Sequence, residues 1–185
     1  MPIDNNITGN PEVDAMRELK VKFADRLLYT TKHPGKRARE VLKREDPRLK
    51  AYILEVARHP ERHNIYEIAG VLRWYMLVNK YDWNYKLLRT FITYYETCCI
   101  FNGNDGPSRY KVTPVLYFML SVIYGLQVPE STRKARINGR VVTQTVRAHR
   151  LIRFDIWYVP RKFSKTTNMA AIATFDLLFG DFNSH

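Results

Sequence analysis

The sequence predicts a mainly α-helical chain, with a helical front half followed by a β-hairpin and a single strand, loop and helix. Three observations predict it. Apolar residues recur at three- and four-residue spacing through most of residues 11–125. Asn138-Gly139 separates two short runs suited to strands, and residues 151–159 place Ile152, Phe154, Ile156 and Tyr158 on one face and Arg153, Asp155 and Trp157 on the other, before a basic loop and a second apolar run. At 185 residues and 45% hydrophobic, the chain is long and apolar enough for one domain with a real core, or for one domain plus part of another.

Residues 1–11, rich in Pro, Asn and Gly, read as a loose arm. Val13, Met16, Leu19, Phe23 and Leu27 then give a helix from Pro11 to Tyr29, broken by His33-Pro34-Gly35. Basic helical patterning runs from Lys36 to Arg58, interrupted at Pro47 and stopped by His59-Pro60. A third segment covers Ile65 to Val78, and a fourth, Trp83 to Phe101, has Leu87, Leu88, Phe91, Ile92, Tyr95 and Cys99 on one face. Asn102 to Pro107 reads as a loop and as the boundary between a helical region, 1–101, and a second unit, 108–185. Pro114 opens a helix that ends at Gly125.

Beyond Gly125 the pattern changes. Ala135-Arg136-Ile137 and Arg140-Val141-Val142 flank the Asn138-Gly139 turn. Leu151 to Val159 reads as a strand with Ile152, Phe154, Ile156 and Tyr158 on one face, and Thr166 to Phe179 as a helix with Gly180 as its C-cap. No internal repeat or low-complexity tract appears.

The charge is uneven. Thirty Lys and Arg against eighteen Asp and Glu give +12, which suits a polyanionic partner. Between Ser131 and Lys165, ten basic residues face the single acid Asp155, a local +9, and Lys32 to Lys50 carries a further +5 from eight basic residues and three acids. No run of eighteen apolar residues is present and the first residues lack a signal-peptide layout, so the chain is expected to be soluble and intracellular, with no membrane partner. The adjacent Cys98 and Cys99 are expected to be buried apolar fillers rather than a disulfide or metal pair.

The loop between the last strand and helix carries the chemistry. Val159-Pro160-Arg161-Lys162-Phe163-Ser164-Lys165-Thr166-Thr167 matches a phosphate-binding loop in which both glycines are replaced, by Val159 and Ser164. A Lys-Thr pair opening a helix gathers an ammonium, a hydroxyl and backbone N–H groups around one point, where a triphosphate and its Mg²⁺ fit. Ser164 stands where glycine's backbone freedom is normally used, which is expected to cost on the order of 1 kcal/mol and to weaken nucleotide affinity.

From Asp155 to Ala171 the sequence resembles the first nucleotide-binding motif of the large terminase subunit of tailed bacteriophages, the ATPase that packages DNA, and Leu177-Leu178-Phe179-Gly180-Asp181 resembles the end of its following helix. Tyr85 to Phe101, the turn at 102–107, Val112-Thr113-Pro114, Phe118 and Gly125 extend the resemblance upstream. It implies an incomplete α/β P-loop NTPase, represented by its first strand, P-loop and helix. It assigns the β- and γ-phosphates to Lys165, Mg²⁺ to Thr166, γ-phosphate sensing to the catalytic Arg161, and supporting places to Lys162, Ser164 and Thr167. ATP and Mg²⁺ are the implied cofactors. Double-stranded DNA, the portal and the small terminase subunit are the implied partners, and the bacterial host cytoplasm is the implied location. Pro114-Val115-Leu116 lacks the Trp-Gln that helps hold adenine in many members.

Phosphoryl transfer also needs a second strand-end carboxylate and a glutamate to orient water. After Thr167 the only acids are Asp176 and Asp181, neither placed for that role. The chain is therefore expected to be a truncated motor fragment without the second acidic motif or the nuclease, and inactive alone. The alternative is a non-enzymatic basic module that binds DNA or docks on a packaging protein, with a vestigial loop. Two further groups are expected to be structural: His59, Glu61 and His63, disturbed by Pro60, and the aromatics Trp74, Tyr75, Tyr81, Trp83, Tyr85, Phe91, Tyr94 and Tyr95, which fit a core better than base stacking.

Overall fold

The structure, a computed structural model, describes residues 10–103, 106–137, 140–152 and 165–179. Helix α1 (Pro11–Lys32) is capped by Asn10, whose side chain accepts from the Glu12 amide at 3.1 Å, with Pro11 in the first turn. It runs one turn past the expected end, to the His33 amide that donates to the Tyr29 carbonyl. Its expected apolar stripe is buried only in the second half: Ala24 and Leu27 are inside, whereas Val13, Met16 and Leu19 are exposed.

The basic stretch after Gly35 divides into α2 (Lys36–Arg44) and α3 (Pro47–Arg58) at Pro47, with Asp46 capping the second helix. A short 3₁₀ turn at Pro60–Arg62 follows. Helix α4 (Ile65–Lys80) opens with a reciprocal cap, the Asn64 amide donating to Glu67 and the Glu67 amide to Asn64, both at 2.9 Å.

The expected helix over Trp83–Phe101 is shorter. Asn84 accepts from the Leu87 amide and starts α5 (Tyr85–Cys98). That leaves Trp83 in a two-residue strand, β1 (Asp82–Trp83). At the other end Ile100 is strand: β2 (Ile100–Gly103) pairs antiparallel with β3 (Gly106–Arg109), so the expected loop at 102–107 forms the end of a hairpin, with residues 104 and 105 outside the described set. Ile100 sits opposite Arg109 and Phe101 opposite Ser108, so cross-strand pairing takes over where the helix was expected to run on to Phe101.

Helix α6 (Pro114–Gly125) has the expected bounds and is capped by Thr113. Gly125 is required by contact: a Cβ there would lie 2.6 Å from the Trp83 ring. Beyond it, β4 (Leu126–Val128) pairs with β1 on one side and with β7 (His149–Arg150) on the other, a small antiparallel sheet ordered β1-β4-β7. Between β4 and β7 lies the expected hairpin, β5 (Ser131–Ile137) against β6 (Arg140–Val146), with its Asn138-Gly139 turn outside the described residues. Of the strand expected at 151–159, Leu151 donates its amide to the Leu126 carbonyl, Leu151 and Ile152 are not strand, and the rest lies outside the described residues. The arm at 1–9 and the Gly180 cap lie outside as well. Helix α7 (Lys165–Phe179) closes the described chain.

The molecule is thus mainly helical, with seven α-helices and a few small antiparallel strands among the described residues. One hydrophobic cluster runs from Leu27 through α3, α4, α5 and α6 to Ala171 and Phe175 of α7. Phe175, 1% exposed, meets Phe91 edge-on at 4.9 Å between ring centroids and lies near Tyr94 and Tyr124. Truncation of such a buried ring costs about 3–5 kcal/mol. Phe175→Ala is therefore expected to lower the urea midpoint strongly, and a midpoint unchanged from the parent would mean that α7 is not seated on α5 and α6 in solution.

Candidate functional site

Helix α7 reaches the body through three anchors. Asp176 accepts from the Tyr124 hydroxyl at 3.1 Å, and Arg150 donates to both of its oxygens at 3.1 Å. Phe175 is the second anchor. The third is a buried hydrogen bond from the Tyr95 hydroxyl to Asn168. Burial, reinforced by Asp176, holds the Tyr124 phenol well above its ordinary range, and burial does the same for Tyr95.

These anchors fix the start of α7, where the expected phosphate-binding residues lie. Arg161, Lys162 and Ser164 are outside the described residues; Lys165 is the first residue of the helix. Thr166, exposed, and Thr167, half-buried, line a groove of about 490 Å³ with Tyr94, Cys98, Cys99, Ala170 and Thr174. A helix start offers unpaired backbone N–H groups and a positive dipole end, so its first turn suits an anion. The threonine hydroxyls fit a phosphate oxygen or Mg²⁺ by donor type, while Asn168 is already engaged with Tyr95.

The structure brings to this groove a pair that the sequence reading places elsewhere. Cys98 is exposed and Cys99 half-buried, both as free thiols, rather than buried fillers. Helix α5 ends at Cys98, which leaves Cys98 in solvent and Cys99 packed against the edge of the core, both on the groove beside α7. Burial raises the Cys99 thiol above its usual range, which keeps it protonated and unreactive near neutral pH.

The aromatics behave as core. Trp74, Tyr75, Phe91 and Tyr95 are buried, and Tyr81, Trp83, Tyr85 and Tyr94 are half-buried. The histidines pair with carboxylates, His59 with Glu61 at 3.4 Å and His63 with Glu67 at 3.5 Å, and no group of three metal-ligating side chains occurs among the described residues. No described helix is long and apolar enough to cross a membrane.

A second polar centre, absent from the sequence reading, lies at the α2–α3 junction. Glu45, its side chain fully buried, accepts from Trp83 Nε1 at 3.1 Å and from the Tyr117 hydroxyl at 2.9 Å, with Arg89 Nε at 3.8 Å. Beside it Arg48 binds Asp46, Glu96 and the Val112 carbonyl, and Glu96 also accepts from the Val112 amide. The signal available in the sequence was the acid pair Glu45-Asp46 within a basic stretch. A cleft of about 530 Å³ on the other side of this junction is rimmed by Arg39, Lys43 and Lys50 and reaches Thr31 and Tyr75.

Comparison with protein-family models, curated proteins and solved structures gives no match.

Two tests follow from the junction. Tyr117→Phe takes from the buried Glu45 Oε2 its shorter hydrogen bond, leaving it the Asp46 amide at 3.4 Å, and is expected to cost about 1–3 kcal/mol in chemical denaturation; a cost near zero would mean that water replaces the phenol. The hydrogen bond from Arg48 holds the Asp46 carboxyl below its ordinary range. A depressed carboxyl stabilises the fold above its unfolded pKa and loses that contribution as pH falls through its folded value. Stability should therefore drop between about pH 4 and more acidic conditions, and less steeply in Asp46→Asn; parallel pH curves would remove Asp46 from the account.

Proposed function

We propose that this chain is part of an ATP-driven DNA-packaging motor of the terminase large-subunit kind, a helical body leading into the phosphate-binding loop and its helix. The supporting observation is that α7 begins at Lys165, directly after the Val159–Ser164 run, with Thr166 and Thr167 at a groove edge and the helix anchored by Asn168, Phe175 and Asp176. In this reading Lys165 would neutralise the β- and γ-phosphates, the first-turn amides of α7 would hold a phosphate oxygen, Thr166 would ligate Mg²⁺, and Arg161 would supply a second cation for the γ-phosphate. Bound ATP would supply the phosphoanhydride whose hydrolysis drives packaging. Water activation and the second carboxylate would have to come from groups other than those at the start of α7. Double-stranded DNA is the substrate, the portal and small terminase subunit are the partners, and the host cytoplasm is the location.

Lys165→Ala is expected to abolish Mg²⁺-dependent binding of a fluorescent ATP analogue, and Thr166→Ala to remove its Mg²⁺ dependence. Parent-like binding by both variants would contradict the assignment. The second reading, a non-enzymatic basic DNA-binding or docking module with a vestigial loop, is favoured by Ser164 and by the exposed cations of β5. Calorimetry on the 185-residue chain separates the two: the motor reading requires Mg²⁺-dependent ATP binding, the module reading salt-dependent DNA binding without it.

A further inference from the structure

Among the described residues the β5–β6 hairpin stands apart from the other elements. Its two strands pair with each other in a closed register from Ser131 opposite Val146 to Ile137 opposite Arg140, and with no other strand among the described residues. Ser131 to Lys134, Arg136 and Val141 to Thr145 are all exposed. Among the ribbon residues whose exposure is described only Val146 is half-buried; so exposed a ribbon gains little from the hydrophobic effect, and sheets of this size are marginal in water. Its composition offers another use. From Ser131 to Arg150 the sequence holds six Arg or Lys and no acid, and the nearest acid on the N-terminal side is Glu130.

The register sorts the side chains. Directly opposed residues share a face, so Thr132, Lys134 and Arg136 lie on one face with Thr145, Thr143 and Val141. That face presents two cations and three hydroxyls. The other carries Arg133, which donates to Gln144 at 3.2 Å. Arg133, Lys134, Arg136 and the exposed Arg147 form no ion pair with any described residue. Arg150, by contrast, is committed to Asp176 and ties the foot of the hairpin to α7.

Resting on the DNA-binding part of the functional reading, we infer that the β5–β6 ribbon is the element that enters the major groove of duplex DNA, with Lys134 and Arg136 facing the groove and Arg133 and Arg147 on flanking phosphates. Two strands about 4.8 Å apart, with their side chains, fit a groove about 12 Å wide and not one about 6 Å wide. Seven residues per strand give a reach of about 23 Å. Threonine hydroxyls bond to base edges or phosphates, and Arg and Lys supply counterion release. The unpaired outer edges of the ribbon would otherwise invite pairing with a second copy of the chain, and the same cations oppose that by like-charge repulsion.

The test is fluorescence anisotropy with the 185-residue chain and a short mixed-sequence duplex, titrated across about 50 to 200 mM salt. The variant Arg133→Glu, Lys134→Glu, Arg136→Glu is expected to bind more than tenfold more weakly, with the slope of log affinity against log salt reduced by about 2 to 3. The control Lys36→Glu, Lys43→Glu, on α2, should stay within about twofold of the parent, and circular dichroism should show all three chains folded alike. If the ribbon variant binds like the parent while the α2 variant fails, the ribbon is wrong and DNA binding stands. If the parent does not bind duplex at low salt, both fall. Tighter binding to the single strand than to the duplex would overturn the groove assignment.

Discussion

The fold depends on how one buried carboxyl is satisfied. A carboxyl removed from water without partners costs several kcal/mol or more, so Glu45 is tolerable only because donors converge on it from separate elements. Trp83 comes from β1, Tyr117 from α6 and Arg89 from α5. Each partner is also fixed elsewhere: the Trp83 ring covers Gly125 and meets Trp74, the Tyr117 ring lies under Arg48, and Arg89 stacks beside Tyr85. The short turn between α2 and α3 is therefore the point at which four parts of the chain agree on their positions. Asp46, Arg48 and Glu96 extend the same network to Val112, just before α6.

From that junction the constraint passes to the functional elements. With Trp83 placed, β1 pairs with β4 and β4 with β7, which sets Arg150 at the edge of the small sheet. Arg150 and Tyr124 then hold Asp176, and Phe175 fills the gap between α5 and α6. The start of α7 and the foot of the β5–β6 ribbon are thus carried by one body. Under the proposed motor function, a nucleotide-dependent event at Thr166 and Thr167 would reach the ribbon through these packed elements.

Much of the helical architecture was legible because it rests on local signals: proline at the first turn, as at Pro11, Pro47 and Pro114, and three-four spacing. The β5–β6 hairpin was legible from Asn138-Gly139 for the same reason. The sequence reading went wrong where long-range pairing decides. Trp83 and Ile100 keep helical spacing with α5, yet Leu126 and Arg109 recruit them into strands. The exposure of Cys98 and of the first half of α1 could not be read from periodicity, which gives a face but not whether anything covers it. Nor could the Glu45 centre, since its donors are 38 and 72 residues away in sequence. Of the candidate site, Lys165, Thr166 and Thr167 fall at a helix start as the motif requires, while Arg161, Lys162 and Ser164 lie outside the described residues.

The central claim is that the start of α7 is a nucleotide-binding end carried on a stable helical body. Hydrogen exchange read by mass spectrometry, on the 185-residue chain with and without Mg²⁺ and ATP, tests it most directly. The account predicts slower exchange confined to the amides of residues 159–170, with α3, α4 and α6 unchanged. Protection that appears instead around Arg39, Lys43 and Lys50, or none anywhere at saturating ATP, would contradict it.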